Sequence, residues 1–239
     1  MRKTFAFLLL IVISFTLMSC TDNSDLSADE TDLEVVDLQI IPELTHWLPQ
    51  IAACAEGIPG LAITTQSLPE RALDLVSTDL IIRLGTRRES DPYVTVLGTE
   101  EIVIVIGANV PLSSINHIDL LNIYSGKMTD WGDETGSTIQ TFSFPEGSTL
   151  QQIFVENYLE NLVIKSEPIL FYTAEKLISG LKANPYAIGY LLESQVSTDI
   201  NILEISDWDQ SSQELFVLAV TPEEPQGELF DLLLCLQSP

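Results

Sequence analysis

Basic side chains are scarce. The 239-residue chain holds ten Lys and Arg against 35 Asp and Glu, a formal charge of −25. Such a surface repels nucleic-acid phosphates and anionic lipid head groups, which excludes nucleic acid as a partner. It also lacks a diffuse field to draw anions in, so an anionic ligand has to be held by local dipoles. The acidity reads as a device for solubility or a salty habitat. Histidine is nearly absent. His46 and His117 are far apart without ligand spacing, and each reads as a surface residue at a helix start. Three cysteines with no Cys-x-x-Cys pair argue against structural zinc. A His-Glu-x-x-His motif, a phosphate loop, a workable Ser-His-Asp order and a recognisable carboxylate pair are all missing. No catalytic residue, cofactor or metal is therefore expected. Beyond Met18 no stretch is apolar enough to span a membrane, and there is no internal repeat.

What is present starts with Arg2 and Lys3 ahead of an apolar run from Phe5 to Met18. This is the charged and apolar order of a secretory signal, shorter than the ~20 residues that cross a bilayer. Leu17-Met18-Ser19-Cys20 resembles a bacterial lipobox, which implies cleavage after residue 19 and lipidation of Cys20. A plain secretory signal beside a coincidental Cys is the competing reading. Residues 20–33 then form an acidic tether, with Asp22, Asp25, Asp29, Glu30 and Asp32. Losing Arg2 and Lys3 takes the charge from −25 to −27 and leaves 220 residues, enough for one large domain or two lobes. An exported chain can form a disulfide. Cys54 and Cys235 fall on apolar faces of expected helices, and a bridge and two buried thiols fit equally.

The remainder alternates strands and helices. Leu33–Ile41, Leu61–Thr65 and Leu80–Leu84 read as strands, with a helix capped by Thr45 and running through Ala55 after the first. A short helix over Glu70–Val76 follows the second, and this alternation argues for a parallel sheet covered by helices. Glu101–Ile106 is almost all β-branched and reads as a central strand buried on both faces. Gly107–Pro111 is a connector, and Asn116 caps a helix to Tyr124 that Gly126 stops. Phe144-Pro145-Glu146-Gly147-Ser148-Thr149 reads as a tight turn running into a helix, with Ser148 as N-cap and Gln151 placed for a capping box. Free N–H groups and a partial positive charge at such a start can hold an oxyanion without a basic side chain. An ordinary capped helix carries the same signature. Later strands read at Ala187–Leu191, Asn201–Ile205 and Leu215–Val220, and a last helix at Gly227–Leu236. The units form two groups, which places a cleft between two α/β lobes.

Several segments resemble the phosphate-binding-protein-like family of bacterial extracytoplasmic solute receptors, the substrate-binding components of ABC importers. The most specific is Ser113–Trp131, where Gly126, Lys127 and Trp131 keep the family spacing. Asn184-Pro185-Tyr186-Ala187-Ile188-Gly189-Tyr190 and Glu101–Pro111 add to it, and Phe144–Phe154 occupies the place of the family's anion-binding turn. Trp131, Ile123, Gly126 and Gly189 read as scaffold. The resemblance implies an α/β, two-lobed, type II periplasmic-binding-protein-like fold with an interlobe cleft. The boundaries expected for it are 34–106 plus 204–239 for lobe I and 107–203 for lobe II.

Carried over by residue, the ligand positions implied are Thr45, Ser67, Asp79, Gly147, Ser148 and Thr149, with Tyr172 and Thr173 closing the cleft from lobe II. The turn departs from the family pattern. Phe144 stands at the family's arginine, and Thr149 and Leu150 at its second glycine and threonine. The lost arginine removes a charge-assisted contact to phosphate and makes that wall apolar. Glu43 would oppose an anion unless protonated. Arg87 and Arg88 either substitute for the arginine or are exposed. The expectation is a monomeric, lipid-anchored solute-binding protein outside the cytoplasm. It takes a small oxyanion-like or polar ligand, with an ABC permease as partner and contact with the membrane through the anchor alone. A sensory or scaffolding lipoprotein that keeps the fold without transport is the alternative.

Overall fold

A computed structural model of the chain describes residues 33–132, 136–207 and 214–238. The expected signal peptide, Cys20 and the tether up to residue 32 lie outside the described residues. Two mixed sheets carry the architecture. The first is built from β1 (Glu34–Ile40), β2 (Leu61–Ser67), β3 (Leu80–Leu84), β4 (Tyr93–Glu100) and β11 (Leu215–Thr221), in the order β2-β1-β3-β11-β4. Its β1, β2 and β3 are parallel, whereas β11 runs antiparallel to both β3 and β4. The second sheet holds β5 (Ile102–Ile106), β6 (Ser114–Ile115), β7 (Gln140–Ser143), β8 (Ile169–Leu170), β9 (Ala187–Leu192) and β10 (Asn201–Ile205). Its order is β6-β10-β5-β9-β7-β8.

Helices α1 (Leu48–Glu56) and α5 (Gly227–Leu236) belong with the first sheet. Helices α2 (His117–Tyr124), α3 (Thr149–Asn157) and α4 (Ala174–Ala183) lie in the chain between strands of the second. The helix periodicity is visible in what each one buries: Leu120, Ile123 and Tyr124 on α2, Leu150 and Phe154 on α3, Leu177 and Leu181 on α4. Gly189 on β9 meets a packing need. A Cβ there would stand 3.2 Å from both Leu177 and Phe142. Trp131 is core, donating its indole N–H to Tyr186 O at 2.9 Å.

Four expectations change. The lobe boundary moves, because all five residues of β5 are buried and its edges pair with β9 and β10, in the second sheet. The first crossing therefore falls at Glu100–Ile102 rather than after residue 106, and residues 204 and 205 stay in lobe II with β10. Thr45 caps no helix. Pro42 starts a 3-10 turn over Pro42–Trp47, and the Thr45 hydroxyl donates within it to Pro42 O at 2.9 Å. The helix expected at Glu70–Val76 shrinks to a 3-10 turn over Glu70–Ala72, after which Leu73 is extended. His117 is not a surface residue; it is 8% exposed, with Nε2 2.8 Å from Tyr158 O. The open question of the cysteines resolves as a disulfide joining Cys54 of α1 to Cys235 of α5.

Candidate functional site: an interlobe cleft with an internal carboxylate

Both lobes bring a strand end and a helical start to one cleft, the usual place for a ligand in open α/β sheets. From lobe I, β1 ends at Ile40 and Pro42 throws the chain into the 3-10 turn that carries Glu43 and Thr45. From lobe II, β7 ends at Ser143, and the Phe144–Ser148 turn leads into α3. Gly147 takes φ 85°, a conformation that costs a residue with a Cβ. Ser148 is extended and accepts from Gln151 N at 3.3 Å. Only half of a capping box forms, since the Ser148 N–H donates back to Pro145 O.

Two cavities of about 200 Å³ each occupy the cleft. Glu43, Phe144 and Tyr172 line both. One cavity adds Thr45, His46, Glu175 and Gln195, and the other adds Glu70, Arg71 and the Gly147–Thr149 turn. Phe144, where the resemblance implied an arginine, is 4% exposed and packs edge-on against Tyr190 with ring centroids 5.6 Å apart. That wall is aromatic and already packed.

The start of α3 is already occupied by a carboxylate of the chain itself. Glu43 Oε1 accepts from Leu150 N at 3.4 Å, across a sequence separation of 107 residues. Glu43 is 8% exposed. Burial pushes its pKa above the ordinary 4.5, and the Glu70 charge adds to that, against the N–H groups of Glu43, Leu150 and Thr149, which favour the charged form. Glu43 Oε2 accepts nothing from any described residue, and neither does Gln195 Oε1, and both atoms are buried. A buried acceptor without a donor costs about 1–3 kcal/mol.

Further contacts join the lobes. The Thr149 hydroxyl donates to Glu70 Oε2 at 2.9 Å, and Arg88 holds the other oxygen of Glu70. Gln195 Nε2 donates to Glu43 O at 2.8 Å. Glu100, at the end of β4, collects His46 Nε2 at 2.9 Å, Trp47 Nε1 at 3.2 Å and Ser194 Oγ at 2.7 Å. Burial works to raise the Glu100 pKa, but hydrogen bonds from His46, Ser194 and Trp47 and the charge of His46 outweigh it and hold the group below 4.5. Among the described residues no group of three His, Cys, Asp or Glu could hold a metal ion.

The structure gathers Thr45, Gly147, Ser148 and Thr149 at the cleft and leaves two expected positions out. Ser67 is an exposed residue at the end of β2 that lines neither cavity. Asp79 precedes β3, at the opposite end of the sheet, where its carboxylate accepts from Asp37 N at 2.9 Å. Its N–H also donates to Asp37 O, so it ties the start of β3 to β1. The hydroxyls of Ser148 and Thr149 are engaged by Gln151 and Glu70. Tyr172 and Thr173 do line the cleft. Arg87 is exposed and Arg88 pairs with Glu70; the guanidinium nearest the turn is Arg71, 3.7 Å from where a Cβ on Gly147 would stand. Gln195 and Arg71 carried no sequence signal, because neither sits in a motif. Glu43 carried one, a carboxylate beside a proline at a strand end.

No protein-family model matches the chain, and no curated protein matches it in sequence. Solved structures do. One is assigned as a phosphate ABC transporter substrate-binding protein from Clostridium perfringens with bound phosphate. It is 17% identical, with a TM-score of 0.70 over 85% of this chain and 93% of the other. An ABC-type phosphate transport receptor from Vibrio cholerae is 14% identical, with a TM-score of 0.64 over 84% and 93%. The reduced OxyR regulatory domain from Pseudomonas aeruginosa is 16% identical, with a TM-score of 0.62 over 87% and 98%. At such identities the likeness is one of fold. The chain has the type II periplasmic-binding-protein-like fold. Within that class it is PstS-like in architecture.

Proposed function

We propose that this chain is a solute-binding protein that works outside the cytoplasm, anchored through a lipidated Cys20, and delivers a small polar ligand to an ABC importer. It acts by binding, with no covalent step. The observation that carries the reading is the cleft, where cavities lined by both lobes meet two unpartnered buried acceptors. The shared fold of transport receptors adds weight, as does the lipobox-like Leu17–Cys20. No described helix is long and apolar enough to cross a membrane. Phosphate is disfavoured as the ligand, since Glu43 stands where an oxyanion would lie and Phe144 replaces the arginine.

Calorimetric titration of the purified chain tests this. The panel is phosphate, sulfate, molybdate, small organic acids, sugars and amines. One class should give saturable heat, and silence across the panel would overturn the reading. Cys20→Ser should move the protein from the membrane fraction to the soluble one. A screen for hydrolase turnover is expected to stay blank, and turnover lost on Ser148→Ala would mean an enzyme instead.

A second reading, a sensory or scaffolding lipoprotein, draws on the internal satisfaction of the α3 start by Glu43 and of Thr149 by Glu70. The likeness to a regulatory domain favours it too. Neighbouring genes for a permease and an ATPase would weigh against it.

A further inference from the structure

We propose that the interlobe cleft is built for a ligand bearing a protonated amine, with Glu43 and Gln195 as the acceptors that receive its N–H groups. This rests on the solute-binding reading above and names the ligand class for the same cleft.

Glu43 and Gln195 line one cavity together. The orientation of the Gln195 amide is set by the hydrogen bond that Nε2 donates to Glu43 O at 2.8 Å. Its Oε1 is therefore the atom left over, buried and without a donor, like Glu43 Oε2. Both residues line that cavity, and two buried acceptors with no donor among the described residues leave room for one from outside the chain. Sulfate supplies none, and hydrogen phosphate supplies one or two O–H donors but sets its negative charge against the Glu43 carboxyl group. A neutral hydroxyl supplies one proton, whereas an ammonium group supplies three with a compensating charge.

The charge balance selects the cation. The acids lining the two cavities are Glu43, Glu175, Glu70 and Glu146, and the basic groups are His46 and Arg71, with no lysine. Glu70 is already paired with Arg88. Glu43 is covered and pairs with no cation among the described residues, and a ligand cation would favour its charged form. At the mouth Glu175 is exposed, and a hydrogen bond from Thr173, with its own N–H and the nearby His46, holds its pKa low. It offers a second carboxylate to a diamine. Phe144 and Tyr172 add aromatic side chains to the lining, which a ligand cation favours.

The test titrates the full mature chain at neutral pH with three probes. Putrescine carries amine N–H donors, glycine betaine carries positive charge without them, and inorganic phosphate is the anion. Putrescine should bind at least about ten-fold more tightly than betaine, and phosphate should give no heat. Glu43→Gln should weaken putrescine by at least about ten-fold, with far-ultraviolet circular dichroism reporting the fold. Glu175→Gln, at an exposed position, should weaken it about three-fold and reduce its salt dependence. Equal binding of putrescine and betaine, phosphate binding by the unaltered chain, or silence with putrescine would each overturn the inference. A neutral or anionic compound that binds where putrescine does not leaves the solute-binding reading standing, and silence across the whole panel removes both.

Discussion

Leu150 donates its backbone N–H to the carboxylate of Glu43 on the opposite lobe, at 3.4 Å. A helix start that could receive an oxyanion thus holds a side chain of its own protein. Replacing that side chain should reopen the position. Glu43→Ala frees the N–H of Leu150 and removes a carboxyl group from the cleft. Phosphate or sulfate should then give saturable heat in calorimetry where the unaltered chain gives none. A folded variant with no such gain would mean that Glu43 is not what excludes anions.

Glu43 and Glu100 predict opposite slopes of stability against pH. Glu43 has a folded pKa raised above 4.5, so the native state holds its proton more tightly than the unfolded chain. Its contribution is fully present below 4.5 and is lost as pH rises through the folded value. Glu70, Gln195 and the 3-10 turn with His46 face it, so the comparison is between variants. Relative to the unaltered chain, Glu43→Gln should become progressively more stable as pH rises above 4.5. Glu100 is held below 4.5, so its contribution is present above that value and is lost as pH falls through the folded one. Glu100→Gln should cost about 2 kcal/mol at neutral pH and less in acid. Melting temperatures of the three proteins across the acidic range check both signs.

The disulfide between Cys54 and Cys235 closes a separation of 181 residues and ties α1 to α5. In the chain-entropy account a loop of that size stabilises by roughly 5 kcal/mol. Reduction, or the double change Cys54→Ser with Cys235→Ser, should lower the urea midpoint by a corresponding amount. An unchanged midpoint after verified reduction would contradict this.

Phe144 separates function from packing. It is 4% exposed, rests on Tyr190 and lines both cavities. Phe144→Ala should destabilise by about 3 kcal/mol. It should also join the two cavities, so that a bulkier member of the bound ligand class binds relatively better. A melt and a paired titration with a small and a larger amine read both effects.

The sequence by itself determined most of the local structure. Asn116 before α2, Ser148 before α3 and the run of β-branched residues in β5 are short-range signals, and the elements form where those signals stand. Capping and period act within a few residues, so they survive without knowledge of the fold. The turn at Gly147 and Ser148 was legible for the same reason, and Glu43 was legible as an obstacle to an anion. What the tertiary structure decided depends on pairing across long separations. β5 reads alike in either lobe, and only its hydrogen bonds to β9 and β10 assign it to the second. Cys54 finds Cys235, and Thr149 finds Glu70, through contacts that no spacing encodes. The chemistry of the cleft belongs to this second kind. Glu43 Oε1 faces the start of α3, with Oε2 left without a partner among the described residues, because two lobes meet at it.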